Sequence, residues 1–217
     1  MLSTMIADPT KPGSLAHFTR VRRWAELLRC FPNLADMRVL DLGGTPHSWR
    51  ASPVRPAHVV TVNLDTASAQ CPEPGITAVL ADACDPSLTR LLSAERFDLV
   101  YSNSLMEHVG GHFRRQQFAE AVQYFADHHW VQTPYRYFPV EPHWLFPGMQ
   151  WLPFRARVAV SERWPHGHIR PGDRAQATTD VEQIELLSAT EMRSYFPDSQ
   201  IWFERFVGLP KSLVAWT

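Results

Sequence analysis

A carboxylate and two adjacent glycines stand where an apolar run ends, in the sequence VLDLGGTP at residues 39–46. The run predicts a buried strand. Glycines directly after it let a ligand approach the backbone, because they carry no side chain and tolerate a positive φ. In open α/β sheets, ligands bind beyond the carboxyl ends of the strands. We therefore expect a cofactor site that includes Asp41, Gly43, Gly44 and Thr45.

Polar or small residues also follow the next three predicted strands: Asn63 and Asp65 after the second, Asp82 and Ala83 after the third, and Ser102 and Asn103 after the fourth. Strand ends lie along one edge of such a sheet, so these groups should converge. An acid roughly twenty residues past the glycines is typical of one that holds a ribose diol. An acid after the third strand can accept a hydrogen bond from an adenine amino group. Each residue alone could be an ordinary turn residue, but the whole series indicates a cofactor with a nucleoside part.

The glycine pattern favours a cofactor without phosphate groups. A dinucleotide pyrophosphate needs a GxGxxG motif and a helix N-terminus. This chain has only the two adjacent glycines, and Pro53 and Pro56 must shorten the helix that follows them. These features favour S-adenosylmethionine over NAD.

Two pairs of residues could act on a proton. Glu107 and His108 follow the fourth predicted strand, and Glu141 and His143 flank a proline after the fifth. A histidine that is oriented by a carboxylate is suited to remove a proton from a hydroxyl group. Alternatively, His108 shapes the pocket by packing, and Glu141 and His143 satisfy backbone groups in a structural loop.

No metal ligand set is expected from the sequence. The pairs His128-His129 and His166-Gly167-His168 have no further ligand at a recognisable spacing. The three cysteines lack a CxxC spacing and are typical of reduced thiols in a cytosolic protein.

Seven predicted strands must position these groups, at residues 37–42, 58–64, 76–80, 97–102, 130–132, 201–207 and 212–216. Five of them alternate with helical segments, which indicates a parallel sheet. The last two are close enough for an antiparallel hairpin. The pattern predicts an α/β fold with a mixed sheet and a single domain over residues 1–217.

A helix is predicted at 14–31, with Ser14 as its cap. Its apolar residues recur at helical spacing: Phe18, Val21, Ala25 and Leu28. Its arginines are expected mostly to face water: Arg20, Arg22, Arg23 and Arg29.

Residues 133–180 follow the fifth strand and are rich in proline, aromatic residues, histidine and arginine, with no clean apolar period. A segment of this length is typically functional, so we expect an insertion that covers the acceptor site as a lid. Tyr135, Tyr137 and Trp144 are the candidate substrate residues. They indicate an apolar or ring-bearing acceptor.

The successive motifs VLDLGG, VVTVNLD, VLADACD and FDLVYSNSLMEHVGG resemble those of class I S-adenosylmethionine-dependent methyltransferases of the small-molecule, type 11-like kind. The run from residue 184 to 216 is similar to the closing helix and hairpin of that fold. The resemblance implies a Rossmann-like, doubly wound sheet of order 3-2-1-4-5-7-6 with the last strand antiparallel.

The resemblance also implies a role for each strand end. The Asp41 turn would lie near the methionine part of the cofactor, the acid after the second strand near the ribose, Asp82-Ala83 near the adenine, and Ser102-Asn103 along the floor. The sequence departs from the family's pattern at two points. The commoner glycine motif is DxGxGxG, whereas this chain has DLGGTP. Asn63 also stands where the acid that binds the ribose usually is, with Asp65 two residues later.

Composition narrows the classes of function. The net charge of −1 gives no electrostatic case for nucleic-acid binding. No apolar run is long enough for a membrane span and no signal sequence is evident, so a soluble, cytoplasmic protein is expected. A homodimer is compatible with this composition.

The favoured hypothesis is methyl transfer from S-adenosylmethionine to a small molecule, with O-methylation of a hydroxyl group as the preferred reaction. Two alternatives remain open at this point. One is a non-catalytic module that binds a protein through its tryptophan-rich insertion, and the other is a nicotinamide-dependent oxidoreductase.

Overall fold

The computed structural model describes residues 15–66 and 73–217, so the expected cap Ser14 and the thiol of Cys71 lie outside the described residues. The strands in chain order are β1 (Arg38–Leu42), β2 (His58–Asn63), β3 (Ile76–Leu80), β4 (Leu99–Asn103), β5 (His129–Pro134), β6 (Val140–Glu141), β7 (Phe146–Pro147), β8 (Gln200–Phe206) and β9 (Leu209–Trp216). The helices are α1 (Leu15–Cys30), α2 (Ser87–Leu91), α3 (His112–Phe125), α4 (Phe154–Arg163), α5 (Arg174–Gln183) and α6 (Ala189–Tyr195). Short 3-10 helices lie at Leu34–Asp36, Pro46–Ala51 and Met149–Trp151.

Seven of these strands form one sheet in the order β3-β2-β1-β4-β5-β9-β8, and β6 and β7 form a separate hairpin. Strands β1 to β5 are parallel, whereas β9 runs antiparallel to both β5 and β8. The expected order 3-2-1-4-5-7-6 with an antiparallel last strand is therefore confirmed, with β8 and β9 as its sixth and seventh strands.

The central strands are covered on both faces, as parallel strands usually are. Successive side chains of β1 enter different cores: Leu40 and Leu42 join one cluster with helices α2, α3 and α6, and Val39 joins another with α1. Because side chains alternate along a strand, Asp41 shares the α1 face with Val39. The alternation thus directs the Asp41 carboxylate towards the N-terminal helix.

The helix after Gly43 and Gly44, which together form the glycine turn, is short, as Pro53 and Pro56 predict. It is the 3-10 helix Pro46–Ala51. Thr45 is its N-cap, and the Thr45 hydroxyl accepts a hydrogen bond from the backbone N–H of Ser48. A single 3-10 segment presents little aligned backbone dipole. The strand end itself must therefore provide the groups that face a cofactor.

The predicted inward face of α1 is only partly right, because Leu28 packs against the core but the predicted face is rotated. Phe18 and Val21 are exposed, while Thr19 and Leu27 are buried and Arg23 lies against the protein. A buried partner explains the difference, because the carboxylate of Glu204 on β8 receives Arg23. The helix is therefore rotated about its axis relative to the orientation that the apolar spacing predicts, so that Arg23 faces the protein.

The segment predicted as an irregular lid is largely folded. Thr133 and Pro134 complete β5, and the following residues form the β6–β7 hairpin, α4 and α5. They enclose a separate core formed by Trp144, Met149, Val158, Ala177, Val181, Ile184 and Leu186. Each short helix contributes only a few buried residues to this core, so no clear period is visible in the sequence. None of the described helices is both long and apolar enough to cross a membrane.

Candidate active site

Asp41 is buried at the end of β1 with only half of its carboxylate satisfied. The indole Nε1 of Trp49 donates to Oδ2 at 2.7 Å, while Oδ1 has no hydrogen-bond partner among the described residues. Burial raises the pKa of Asp41 to about 7, against the opposing effect of the Trp49 hydrogen bond. A buried carboxylate oxygen without a donor favours a cationic or hydrogen-bonding ligand.

The two glycines are required by their neighbours. Gly43 has φ +86°, and a Cβ there would lie 2.9 Å from the side chain of Leu105. A Cβ on Gly44 would lie 1.7 Å from Oδ2 of Asp41. The second glycine therefore gives the Asp41 carboxylate its space, which the sequence pattern alone did not reveal.

Asn63 fastens this turn, which explains the departure from the usual acid. Its amide Nδ2 donates to the carbonyl oxygens of Gly43 at 2.9 Å and Gly44 at 3.2 Å, and its Oδ1 accepts from the N–H of Asp65 at 2.9 Å. A carboxylate at position 63 could not donate these bonds. Asn63 thus has a role in the turn, and Asp65, two residues later, is exposed.

Two cavities meet at the glycine turn, and Gly43 lines both. The first, of about 150 Å³, is bounded at the strand ends by Asp41, Gly43, Gly44, Thr45 and Asn103. The second, of about 160 Å³, is bounded by the predicted residues Asn63, Asp82, Ala83 and His108. In the described chain, eight of the ten cofactor residues expected from the sequence therefore line these two cavities, and Asp65 and Ser102 do not.

Ser102 is placed differently from the prediction. It is fully buried, and its hydroxyl donates to the carbonyl oxygen of Leu42 at 2.8 Å. This bond joins the ends of β4 and β1 inside the sheet. The structure therefore gives Ser102 a supporting position instead of a place on the cavity floor.

Asp82 already has a cationic partner. The guanidinium of Arg114 on α3 donates to both carboxylate oxygens, at 3.0 and 2.8 Å, and the N–H of Cys84 donates to Oδ1 at 2.9 Å. The hydrogen bond to Asp82 raises the pKa of Arg114. This pair could not be predicted from the sequence, since its partners are 32 residues apart on different elements.

Helix α1 supplies a wall of the first cavity that sequence analysis missed. Arg20, Arg23 and Trp24 line it, beside Trp49 and Tyr101. The rings of Trp24 and Tyr101 are stacked with centroids 5.9 Å apart. The wall therefore combines aromatic rings, the Asp41 carboxyl group and two arginine side chains.

Arg23 is held in that wall by a network. It donates to the carboxylate of Glu204 at 2.7 Å and to the side-chain oxygen of Asn103 at 2.5 Å. Burial disfavours its charge, but the attraction and hydrogen bond of Glu204 outweigh this and raise its pKa. Arg23 therefore fixes the predicted cofactor residue Asn103 instead of facing water.

The two predicted acid–base pairs form one array. Nδ1 of His143 lies 2.6 Å from Oε1 of Glu141, and Nε2 of His143 lies 3.1 Å from Nε2 of His108. Oε2 of Glu141 also accepts the N–H groups of His143 and Trp144, at 2.8 and 2.9 Å. Glu141 thus fixes both the ring and the backbone of His143.

The two histidines have opposite electrostatic surroundings. Burial disfavours the charged form of His143, but its bond to Glu141 and the charges of Glu141 and Glu107 raise its pKa. Burial, with a smaller effect of His143, lowers the pKa of His108 to about 4. His108 lines the second cavity, so the array borders the candidate cofactor cleft.

Glu107 lies beside this array and is fully buried. The hydroxyl of Thr133 donates to its Oε2 at 3.0 Å, while Oε1 has no hydrogen-bond partner in the described parts of the chain. Burial is the main cause that raises the pKa of Glu107, and the nearby His143 opposes it. The sequence predicted Glu107 and His108 as a pair that could act on a proton, and the structure adds that Glu107 is buried.

The predicted substrate residues lie in different settings. Tyr137 is exposed, and the ring of the half-buried Tyr135 lies edge-on to it with centroids 5.5 Å apart. Trp144 is buried in the core of the insertion, where its indole donates to Ser161 at 2.9 Å. Among the described residues that line the two cavities at the glycine turn, none is Tyr135, Tyr137 or Trp144. Trp144 is thus a core residue, and its predicted contact with substrate is not supported.

The sequence matches no known protein-family model and no curated protein. The structure, in contrast, is similar to that of an S-adenosylmethionine-dependent methyltransferase from Anabaena variabilis, with 13% identity, a TM-score of 0.56, and 91% of this chain and 84% of that chain covered. It is also similar to the N-methyltransferase NodS from Bradyrhizobium japonicum, with 12% identity, a TM-score of 0.51 and coverage of 91% and 94%. The N-terminal domain of EvdMO1, solved in the presence of SAH and D-fucose, gives 14% identity, a TM-score of 0.55 and coverage of 90% and 80%. At sequence identities of 12–14%, this structural similarity establishes the fold of the chain.

Proposed function

We propose that this chain, which has the class I S-adenosylmethionine-dependent methyltransferase fold, transfers a methyl group from S-adenosylmethionine to a hydroxyl group of a small molecule. The observation that carries this proposal is the Glu141–His143–His108 array at the edge of the cavity that contains Gly43 and Asp82. His108 of this array lines that cavity, which supports a role in proton transfer at its edge.

The residues at the glycine turn fit that cofactor. The buried Oδ1 of Asp41 has no partner within the described residues and can receive the ammonium group of the methionine part. The exposed Asp65 follows β2, where a carboxylate can hold the ribose hydroxyls. Asp82 and Ala83 line the second cavity and would border the adenine.

The cofactor, when bound, supplies a methyl group on a good leaving group. The protein must hold the acceptor oxygen in line with the methyl carbon and exclude water. His143 is oriented by Glu141 and faces His108, so this pair of imidazoles is placed to receive the acceptor's proton. A ring-bearing acceptor is favoured by the aromatic residues near the start of the insertion. The presence of D-fucose with one neighbour of this fold agrees with a hydroxyl-bearing ring.

Binding of S-adenosylhomocysteine tests the cofactor. Isothermal titration calorimetry should detect one site on the full chain. Asp41→Asn and Asp82→Ala should weaken binding, because each removes a carboxylate that faces a cavity. The exposed Glu120→Gln on α3 is a matched control that should bind normally. No binding by the native chain would exclude the proposal and favour the alternatives of a protein-binding module or, if NADH binds instead, an oxidoreductase.

Transfer of labelled methyl groups into small molecules of a cell extract tests the reaction. A labelled product whose methyl group is attached to oxygen is expected. Label on nitrogen or carbon, or on a protein, would contradict the proposed acceptor class while leaving the cofactor proposal intact.

A further inference from the structure

We propose that Glu107, His108 and His143 bind one divalent transition-metal ion, of the kind that imidazole nitrogen prefers, such as Zn²⁺. This differs from the sequence-based expectation of no metal site. The ligands come from the loop after β4 and from the β6–β7 hairpin, and the fold brings them together beside the second cavity.

The spacing of the donor atoms fits a single ion. One ligand atom from each of the three residues lies within 4.8 Å of the others, and the two Nε2 atoms are 3.1 Å apart. Zinc–nitrogen bonds of about 2.0–2.1 Å in tetrahedral geometry place two ligands roughly 3.3 Å apart. The imidazoles therefore need only a small adjustment to share an ion.

Glu107 is the independent observation that points to a ligand. Its side chain is fully buried, yet Oε1 lacks a hydrogen-bond partner among the residues described. A buried, unpartnered carboxylate oxygen is costly unless something binds it. A metal ion at the two imidazoles would supply that missing partner.

The outer contacts are those of metal ligands. Metal-binding histidines usually donate their other ring nitrogen to a carboxylate, which fixes the ring and makes it a better ligand. Nδ1 of His143 makes this contact with Glu141 at 2.6 Å, leaving Nε2 directed at His108. Oε2 of Glu107 is likewise held by the hydroxyl of Thr133 at 3.0 Å. Two of the three proposed ligands are thus already oriented.

The local charge also favours a cation. Glu107 and Glu141 are both buried, and in the described ranges the one ion pair that either of them forms is that of Glu141 with His143, which leaves Glu107 without one. Buried carboxylates need a compensating positive charge. Two nitrogen ligands and one oxygen ligand suit zinc, cobalt or nickel better than magnesium or calcium, which prefer all-oxygen sites.

Such an ion would deepen the proposed function, and this consequence rests on that function. Three protein ligands leave a position for the acceptor oxygen, as in catalytic zinc sites. The hydroxyl would bind the ion and release its proton to water. Its oxygen would then form the bond to the methyl carbon as the carbon–sulfur bond breaks. His143 would act as a ligand, and the ion would replace it as the group that activates the hydroxyl.

The site can be tested on the full, chelator-treated chain without cofactor or acceptor. Titration with Co²⁺ should give visible absorption bands of a low-symmetry site at one equivalent, and Zn²⁺ should displace the Co²⁺. His108→Gln, His143→Ala and Glu107→Gln should each weaken Co²⁺ binding at least tenfold. Glu141→Gln should weaken it by about 10–100-fold through the orientation of His143 alone. His166→Ala changes an exposed histidine and should leave the titration unchanged.

Circular dichroism of each variant shows whether it remains folded. The absence of stoichiometric Co²⁺ binding to the folded native chain overturns the metal site. Unchanged binding in the folded His108→Gln and Glu107→Gln variants does the same. S-adenosylhomocysteine titration of the same sample separates this inference from the proposed function, because cofactor binding without metal binding rejects the metal site alone. Metal binding without cofactor binding rejects the proposed function alone.

Discussion

Asp41 and Glu141 are both buried carboxylates, but they differ in how fully they are satisfied. Glu141 accepts three hydrogen bonds, from the ring and the backbone of His143 and from the backbone of Trp144. Asp41 accepts one from Trp49 and keeps an oxygen without a donor in the described chain. A satisfied carboxylate positions its neighbours, whereas a half-satisfied one is ready for a ligand. The following variants test this contrast, from the largest expected effect to the smallest.

Removal of the imidazole that Glu141 orients should have the largest effect. We expect His143→Ala to lower turnover by about 10²–10⁴-fold, the usual contribution of a positioned proton-handling group. The affinity for S-adenosylhomocysteine should stay unchanged, since His143 is not among the described residues that line the two cavities at the glycine turn. The rate is measured with an acceptor found by labelled methyl transfer. Unchanged turnover would remove His143 from the reaction.

Asp41 should make stability depend on pH. Its pKa is about 7 in the folded protein against an ordinary value of 3.8, so between these values the folded state holds a proton that the unfolded chain has released. The stabilisation that this bound proton contributes is fully present below about pH 4. The free energy of unfolding then falls by up to about 4 kcal/mol as the pH rises from about 4 through 7.

Asp41→Asn removes the titrating group and keeps the shape. The difference in unfolding free energy between the native chain and this variant, measured in urea from pH 4 to pH 8, should follow that slope. A difference that does not change with pH would mean that the carboxylate is satisfied after all, and the contrast with Glu141 would fail.

Glu141→Gln tests the satisfied carboxylate. The amide keeps an acceptor oxygen for the backbone of His143 and Trp144 but loses the charge that faces Nδ1. Turnover should fall by about 10–100-fold, less than for His143→Ala. A loss as large as that of His143→Ala, in a variant that melts at the native temperature, would show that Glu141 does more than orient the ring.

Arg114→Ala should have the smallest effect. The Arg114–Asp82 pair is partly exposed, so its loss should change stability by about 1 kcal/mol or less. It releases Asp82 for the adenine amino group, and S-adenosylhomocysteine should bind as well as or a few-fold better than to the native chain. Weaker binding would assign Arg114 itself to the cofactor site.

The predicted residues that the structure brings together carry their information locally. Asp41, Gly43, Gly44, Asp82 and Asn103 stand at strand ends, and a parallel sheet gathers strand ends at one edge whatever the rest of the chain does. Glu141 and His143 could be paired from their separation of two residues. The strand order followed from the resemblance of the same local motifs.

The missed features depend on partners that are far apart in the chain. The role of Arg23 is determined by Glu204, 181 residues away, and the setting of Asp82 by Arg114. Trp144 was expected to meet substrate because an aromatic side chain in an irregular segment has no visible core. Its core comes from α4 and α5, which bury only a few residues each. Contacts of this kind leave no periodic pattern for sequence reasoning to detect.

The pairing of Arg23 with Glu204 ties the site to the far end of the chain. Helix α1 carries Trp24 in the wall of the first cavity, and the buried partner of its Arg23 belongs to β8, which joins the sheet only through β9. The shape of the first cavity therefore depends on the C-terminal hairpin, even though most of the residues that line it belong to the first half of the chain.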